Sequence, residues 1–168
     1  LTALNAHESA LAMDLAHAFG AVSFAVNRFV PAGAGSGRSD LVPDQELLWK
    51  TLYQISKKAF ETAGMKVYAG IPLEPCIFPR EEFPGIGSSG CVCGRKKWAL
   101  GSDGSLRVCE QSPEILGNLL SVSFSELTAQ PFASRFRDWK PYSKCEECGH
   151  QSSCSGGCRY LSEVPPEP

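Results

Sequence analysis

Four cysteines near the C-terminus, Cys145, Cys148, Cys154 and Cys158, follow a C-x2-C-x5-C-x3-C spacing in KCEECGHQSSCSGGCRY. Such a stretch has too few apolar residues to fold on burial alone, and its thiols are too close for independent roles. Its order is expected to come from a bound metal. A second block upstream, CVCGRKKWALGSDGSLRVC, holds Cys91, Cys93 and Cys109 around Gly104. Iron–sulfur clusters need thiolates supplied from short spacings so that a loop can wrap the inorganic core. Cys145, Cys148 and Cys154 suit three corners of one cluster. In two-cluster ferredoxins the last cysteine of a run serves the other cluster. Cys158 can do the same here by joining Cys91 and Cys109, with Gly156 and Gly157 turning the chain. Zinc also favours C-x2-C pairs in tetrahedral thiolate sites, and it stands as the alternative metal.

The remaining composition excludes several classes of function. The chain has 168 residues and a net charge of −2, so it carries no electrostatic footprint for nucleic acid. No apolar run approaches the roughly 20 residues of a membrane span. The opening LTALNAHESALAMDLAHAF lacks a basic leader and a clean apolar run, so it does not read as a secretory signal. Eight cysteines without an export signal favour metal chemistry over a disulfide framework, and a cytoplasmic location is expected. An even cysteine count leaves disulfides as a further alternative.

The first third alternates helix and strand, giving an α+β fold class. Leu11, Leu15 and Phe19 lie four apart, which predicts a helix over about 6–19 that ends at Gly20. AVSFAVNRFV (21–30) is short, β-branched and aromatic, and predicts a buried strand. A Gly-rich loop follows, PAGAGSG, without the Lys-Ser/Thr ending of a phosphate loop. Leu48, Leu52 and Ile55, with Phe60 nearby, predict a long helix over 43–63 ended by Gly64. MKVYAGIP predicts a second strand. Strand, helix and strand in series imply parallel pairing with a right-handed crossover. Two such strands leave open edges, so the segment looks like part of a larger barrel or sheet.

From Cys76 onward prolines and glycines dominate, and residues 73–90 read as a linker. KKWALGS and SLRVC predict a hairpin turning at Asp103-Gly104, with Cys109 roughly opposite Trp98. Cys91 and Cys93 lie beyond that strand, so the chain must fold back near Gly94 to approach Cys109. Ser123 and Glu126 form a capping-box signature for a short helix that Pro131 interrupts or restarts. Trp98 and Trp139 read as packing shields. Glu146 and Glu147 read as exposed charges, His7 and His17 as helix-surface residues, and His150 as a solvated loop residue.

C-x12-G-x4-C from Cys91 through Gly104 to Cys109, followed after a gap by C-x2-C-x5-C-x3-C, resembles the SPASM domain. That domain is the auxiliary-cluster module of many radical S-adenosylmethionine (SAM) enzymes. The resemblance covers about 76–161, and the first third is similar, less specifically, to the closing strands of the partial (β/α)6 TIM-like barrel of these enzymes. It implies barrel units over 1–72, a linker over 73–90 and a SPASM domain over 91–168. It implies that Cys91, Cys109 and Cys158 hold a first [4Fe–4S] cluster, with Cys93 or Cys76 as fourth ligand. Cys145, Cys148 and Cys154 would hold a second cluster, whose fourth ligand in the family is a downstream cysteine that this chain does not contain. Asn27 and Arg28 would lie on the SAM or substrate side, with a salt bridge holding the loop as the plainer reading for them. The implied partners are an N-terminal radical SAM barrel half, a peptide or protein substrate, and an electron donor such as flavodoxin or ferredoxin. The chain contains no C-x3-C-x2-C triplet, so this stretch alone is expected not to cleave SAM. A standalone electron-transfer module and a zinc-stapled interaction domain are the competing readings.

Overall fold

Asp44 starts the central helix: its carboxylate accepts the backbone N–H of Leu47 at 2.7 Å, satisfying a donor that the first turn cannot. In the computed structural model, which describes residues 1–62, 64–138 and 145–161, this helix is α2 (Gln45–Glu61). It buries Leu48, Leu52 and Ile55, as their spacing predicts, whereas Phe60 stays 68% exposed and turns away from the stripe. A short 3-10 turn (Ala6–Glu8) leads into α1 (Ser9–Ala18), which lies across α2. The helix is where its periodicity puts it, but its buried face is a different one. Ala6, Ser9 and Met13 face inward, while Leu11, Leu15 and Phe19 are 70%, 58% and 84% exposed. Met13 is fully buried in the first core, whereas the Leu11, Leu15 and Phe19 side chains are left outside.

β1 (Ser23–Ala25) and β2 (Lys66–Ala69) pair in parallel, with Phe24 opposite Val67. The parallel pairing expected of a strand–helix–strand series is present. The strand expected over 21–30 is much shorter, and its three residues are exposed or half-buried. Its continuation stops because side chains take over the ladder. The Asn27 amide oxygen accepts the N–H groups of Gly70 and Ile71 at 2.7 and 3.0 Å, where a strand carbonyl would otherwise stand.

A third strand, β3 (Ile86–Ser88), pairs in parallel with β2 and gives the order β1-β2-β3. It lies in the stretch expected to be a linker. That stretch also buries Leu73, Phe78 and Phe83 in the first core, with Phe83 edge-on to Trp49 at 5.2 Å. Prolines and glycines conceal a packed segment here, because its apolar residues follow no period. Among the described residues the fold is mixed α and β with two small sheets and no closed barrel.

The second sheet begins with the expected hairpin. β4 (Ala99–Leu100) and β5 (Ser105–Arg107) are antiparallel and turn at Asp103-Gly104. Ala99 faces Arg107, so continuing the register sets Cys109 beside Lys97, one place from the position expected. β6 (Gly117–Asn118) adds a third strand. Ser123 and Glu126 form the reciprocal capping box that opens α3 (Phe124–Thr128). Pro131 begins α4 (Pro131–Asp138), where its missing N–H costs nothing. Leu106, Val108, Leu116, Leu127, Ala133 and Phe136 close a second core. Trp98 packs against it, with Phe124 edge-on at 5.5 Å. Trp139 lies outside the described residues.

The terminal knot includes a short helical turn, α5 (Gln151–Cys154), where no regular structure was expected. Polar anchors join it to the second core: buried Arg159 donates to the carbonyls of Phe136, Ser155 and Gly157 at 2.8, 3.2 and 3.3 Å. No helix among the described residues is long and apolar enough to cross a membrane.

The exposures of Leu52 and Phe60 give a direct test. Leu52 is 1% exposed, so Leu52→Ala should cost about 2–5 kcal/mol in chemical denaturation. Phe60→Ala should stay within about 0.5 kcal/mol of the parent, as an exposed site does. Equal losses would contradict the helix face assigned here.

Candidate metal centre

Cys93 reaches the hairpin because the chain reverses at Gly94. Its φ of +72° is a left-handed conformation that glycine adopts without strain. The Gly94 N–H donates to the Lys97 carbonyl at 2.9 Å and closes the loop. The fold-back expected near Gly94 is therefore present. The Cys93 and Cys109 sulfurs and a Glu110 carboxylate oxygen all lie within 4.8 Å of one another. Cys91 and Cys158 line the same cavity, so four thiols from two distant stretches face one space. Cys109 and Cys158 are each only 6% exposed.

These thiols share charge in a way that prepares them for a cation. Hydrogen bonding to Cys109 and then to Cys91 holds the Cys93 thiol protonated, its pKa raised well above the usual range. The same bond from Cys93 lowers the pKa of Cys91 to about 6, with the Arg159 guanidinium helping. Cys109 is lowered as well, first by Cys93. Burial pushes Cys158 up to about 11. Two thiols held below the usual range beside two held above it show that the four sulfurs are electrostatically linked. The Gln111 N–H donates to the Cys109 sulfur at 3.4 Å, the kind of bond that tunes a cluster's potential. Lys97 binds Glu110 at 2.6 Å, so that carboxylate is already paired. The donor set therefore fits a thiolate-bound metal group.

A second cavity is lined by Cys145, Cys148 and Cys154, together with Cys76, Glu74 and His150. Burial is the main cause raising the Cys154 thiol. The His150 N–H donates to the Cys148 sulfur at 3.4 Å. Of the two residues considered for the fourth place beside Cys91, Cys109 and Cys158, the structure puts Cys93 in that cavity and Cys76 in the other. All eight cysteines are thiols rather than disulfide-bonded.

Glu74 joins the two regions, and sequence reasoning missed it. Its carboxylate oxygens accept from Arg28 at 2.6 Å, with the two side chains only 9% and 11% exposed. Its Oε1 also accepts the Cys158 N–H at 3.4 Å. Gly157, at φ +77°, packs so closely on this carboxylate that any β-carbon would collide with it. Arg28 donates to the Pro72 carbonyl at 2.7 Å and stacks over Phe78. Asn27 and Arg28, expected on the SAM or substrate side, thus direct these polar groups into the protein itself. A salt bridge at Arg28 was foreseeable, but its partner 46 positions away was not. Arg159 was missed for the same reason: charged residues in a Gly-rich tail read as solvated. Glu146 and Glu147 are exposed, as expected.

Residues 91–149 match the SPASM family, an iron–sulfur cluster-binding domain. The resemblance drawn from the cysteine spacing holds for this stretch, and the match supports iron–sulfur binding. The match ends before Cys154 and Cys158, which the tertiary structure brings back to the same cavities. No curated protein matches the chain.

Removing Glu74 would leave the buried Arg28 guanidinium without a counter-charge. Glu74→Ala should therefore cost about 3–5 kcal/mol in urea unfolding of the metal-free chain. Arg28→Met combined with Glu74→Met should recover much of that loss. A single variant as stable as the parent would show that the pair does not hold the two regions together.

Proposed function

We propose that this chain is the cluster-carrying portion of a radical SAM/SPASM enzyme, a maturase of peptides or proteins. The observation that carries this reading is the convergence of Cys91, Cys93, Cys109 and Cys158 on one cavity, within and just beyond the SPASM match. Auxiliary [4Fe–4S] clusters would supply one-electron chemistry, accepting or relaying an electron or binding substrate at an open iron.

The chain's own residues have definite tasks in that scheme. Cys91, Cys93, Cys109 and Cys158 ligate one group, and Cys145, Cys148 and Cys154 ligate another. The Gln111 and His150 N–H groups donate to ligand sulfurs and bias the potential upward. Arg159 spans from the Phe136 carbonyl to the cluster loop and fixes the closing segment. Burial of Cys109 and Cys158 restricts water at the first set.

Two features support a larger parent. Among the described residues the sheet β1-β2-β3 leaves an outer edge on β1 and on β3, and unpaired edges are normally covered. Leu11, Leu15, Phe19 and Val22 are large apolar residues left exposed in the same part of the chain. An N-terminal radical SAM barrel half would cover both, and its own cluster would cleave SAM. Asn27, two residues past the end of β1, also borders a cavity with Phe24 and Val26. In parallel sheets ligands bind beyond the carboxyl ends of the strands, so SAM or substrate would approach there. A flavodoxin or ferredoxin would supply electrons.

The competing reading is a zinc-stapled domain, favoured by the compact Cys93, Cys109 and Glu110 group. Anaerobic reconstitution separates the two. The proposal expects about four to eight iron atoms per chain with matching acid-labile sulfide and a broad brown absorbance. A colourless protein holding only zinc would overturn it.

A further inference from the structure

We propose that Cys76 is the fourth thiolate of the second set, completing it with Cys145, Cys148 and Cys154 from upstream in the chain. This assignment rests on the iron–sulfur reading above and deepens it. It differs from what the family resemblance implied, which left that set without its downstream ligand.

Three independent observations place Cys76 there. The first is the shared cavity, which Cys76 lines with all three cysteines of the C-x2-C-x5-C run. The second is the turn that presents it. The N–H groups of Ile77 and Phe78 both donate to the Glu74 carbonyl, at 2.9 and 2.8 Å. Glu74 and Phe78 are buried at 7% and 3%, while Cys76 between them is exposed. A thiol raised between two buried anchors has a fixed position, as a ligand requires. The third is the close docking of the opposing loop. Gly90 packs against the Cys154 carbonyl and Gly157 against Glu74, each too tightly for a β-carbon. Segments 74–90 and 154–158 are therefore in direct contact, with Cys76 at their junction.

Other ligands at this cavity are less suitable. Glu74 is committed to Arg28 and to the Cys158 N–H. His150 borders the space, but an all-thiolate set is the usual complement of a cubane cluster. Cys93 already serves the first set. On binding, the Cys76 thiol releases its proton to solvent and its sulfur takes up a coordination position on one iron of an already formed cluster. The ligation itself transfers no electron.

This upstream ligand would make the second site depend on the sheet-bearing part of the chain. Cys145, Cys148 and Cys154 lie within ten residues of each other, whereas Cys76 precedes them by about seventy in sequence. The second cluster would then bridge the two regions, and its loading would report whether they are docked.

The test is anaerobic reconstitution of the full 168-residue chain and of its Cys76→Ala, Cys76→Ser, Cys93→Ala and His150→Ala variants. Iron content and the electron paramagnetic resonance spectra of both reduced and oxidised samples are the readouts. The unaltered chain should hold about eight iron atoms and give two cluster signals. Cys76→Ala should lose up to half of the iron, or convert one signal to a three-iron form, with circular dichroism unchanged. Cys93→Ala should perturb the other signal, and His150→Ala neither. Cys76→Ser, close in volume, separates loss of the ligand from loss of packing and should still alter the second signal. Two unaltered signals in Cys76→Ala would overturn the assignment alone. So would a His150→Ala variant that loses the second signal, or a Cys76→Ala variant that loses the first. A parent chain that takes up no iron would overturn the iron–sulfur reading, and this assignment with it.

Discussion

One buried carboxylate ties the cysteine-rich tail to the first part of the chain. Glu74 is buried, and its charge is balanced by Arg28 at 2.6 Å from the end of β1. Its remaining capacity goes to the backbone beside Cys158. A buried ion pair adds little net stability, because desolvation offsets the attraction, but removing either partner is costly. Such a pair acts as a registration device. It fixes one relative position of β1, the 74–78 turn and the 156–158 turn. Both thiol cavities are built from parts that this position brings together.

Arg159 completes the arrangement from the other side. Its guanidinium lies 5.2 Å from the centre of the Phe136 ring and donates to carbonyls of the tail. The tail has little apolar surface of its own, so charged hydrogen bonds to backbone oxygens replace the core it lacks. Arg159 also lowers the pKa of Cys91, after the larger effect of Cys93. Structural anchoring and electrostatic preparation of the site come from the same side chain.

The two halves of the chain differ in what they bury. The first packs α1 and α2 beside a short parallel sheet whose outer edges are open among the described residues, with large apolar residues exposed. The second encloses a small core directly beneath the first thiol cavity, with Cys109 itself counted among the buried residues. A core that borders a metal cavity keeps water away from the ligands and lowers the local dielectric. Both effects matter for redox potential. A SPASM domain match over this second half agrees with that architecture.

Local order was legible in the sequence. The helix over Gln45–Glu61, the hairpin at Asp103-Gly104, the capping box at Ser123 and the reversal at Gly94 are set by neighbouring residues, so spacing and residue type reveal them. The buried face of α1 was misread, since the Leu11, Leu15 and Phe19 stripe indicates a helix without indicating which side meets α2. The strand β3 and the packed character of 73–90 were also hidden, because short irregular segments have no period to detect. The eight cysteines announced metal chemistry by number and spacing alone. Only the tertiary structure decided how they divide, placing Cys93 with Cys91, Cys109 and Cys158, and Cys76 with the terminal run. Spacing constrains groups a few residues apart, whereas Cys76 and Cys154 meet through the packing of Glu74, Gly90 and Gly157, contacts that no local pattern encodes.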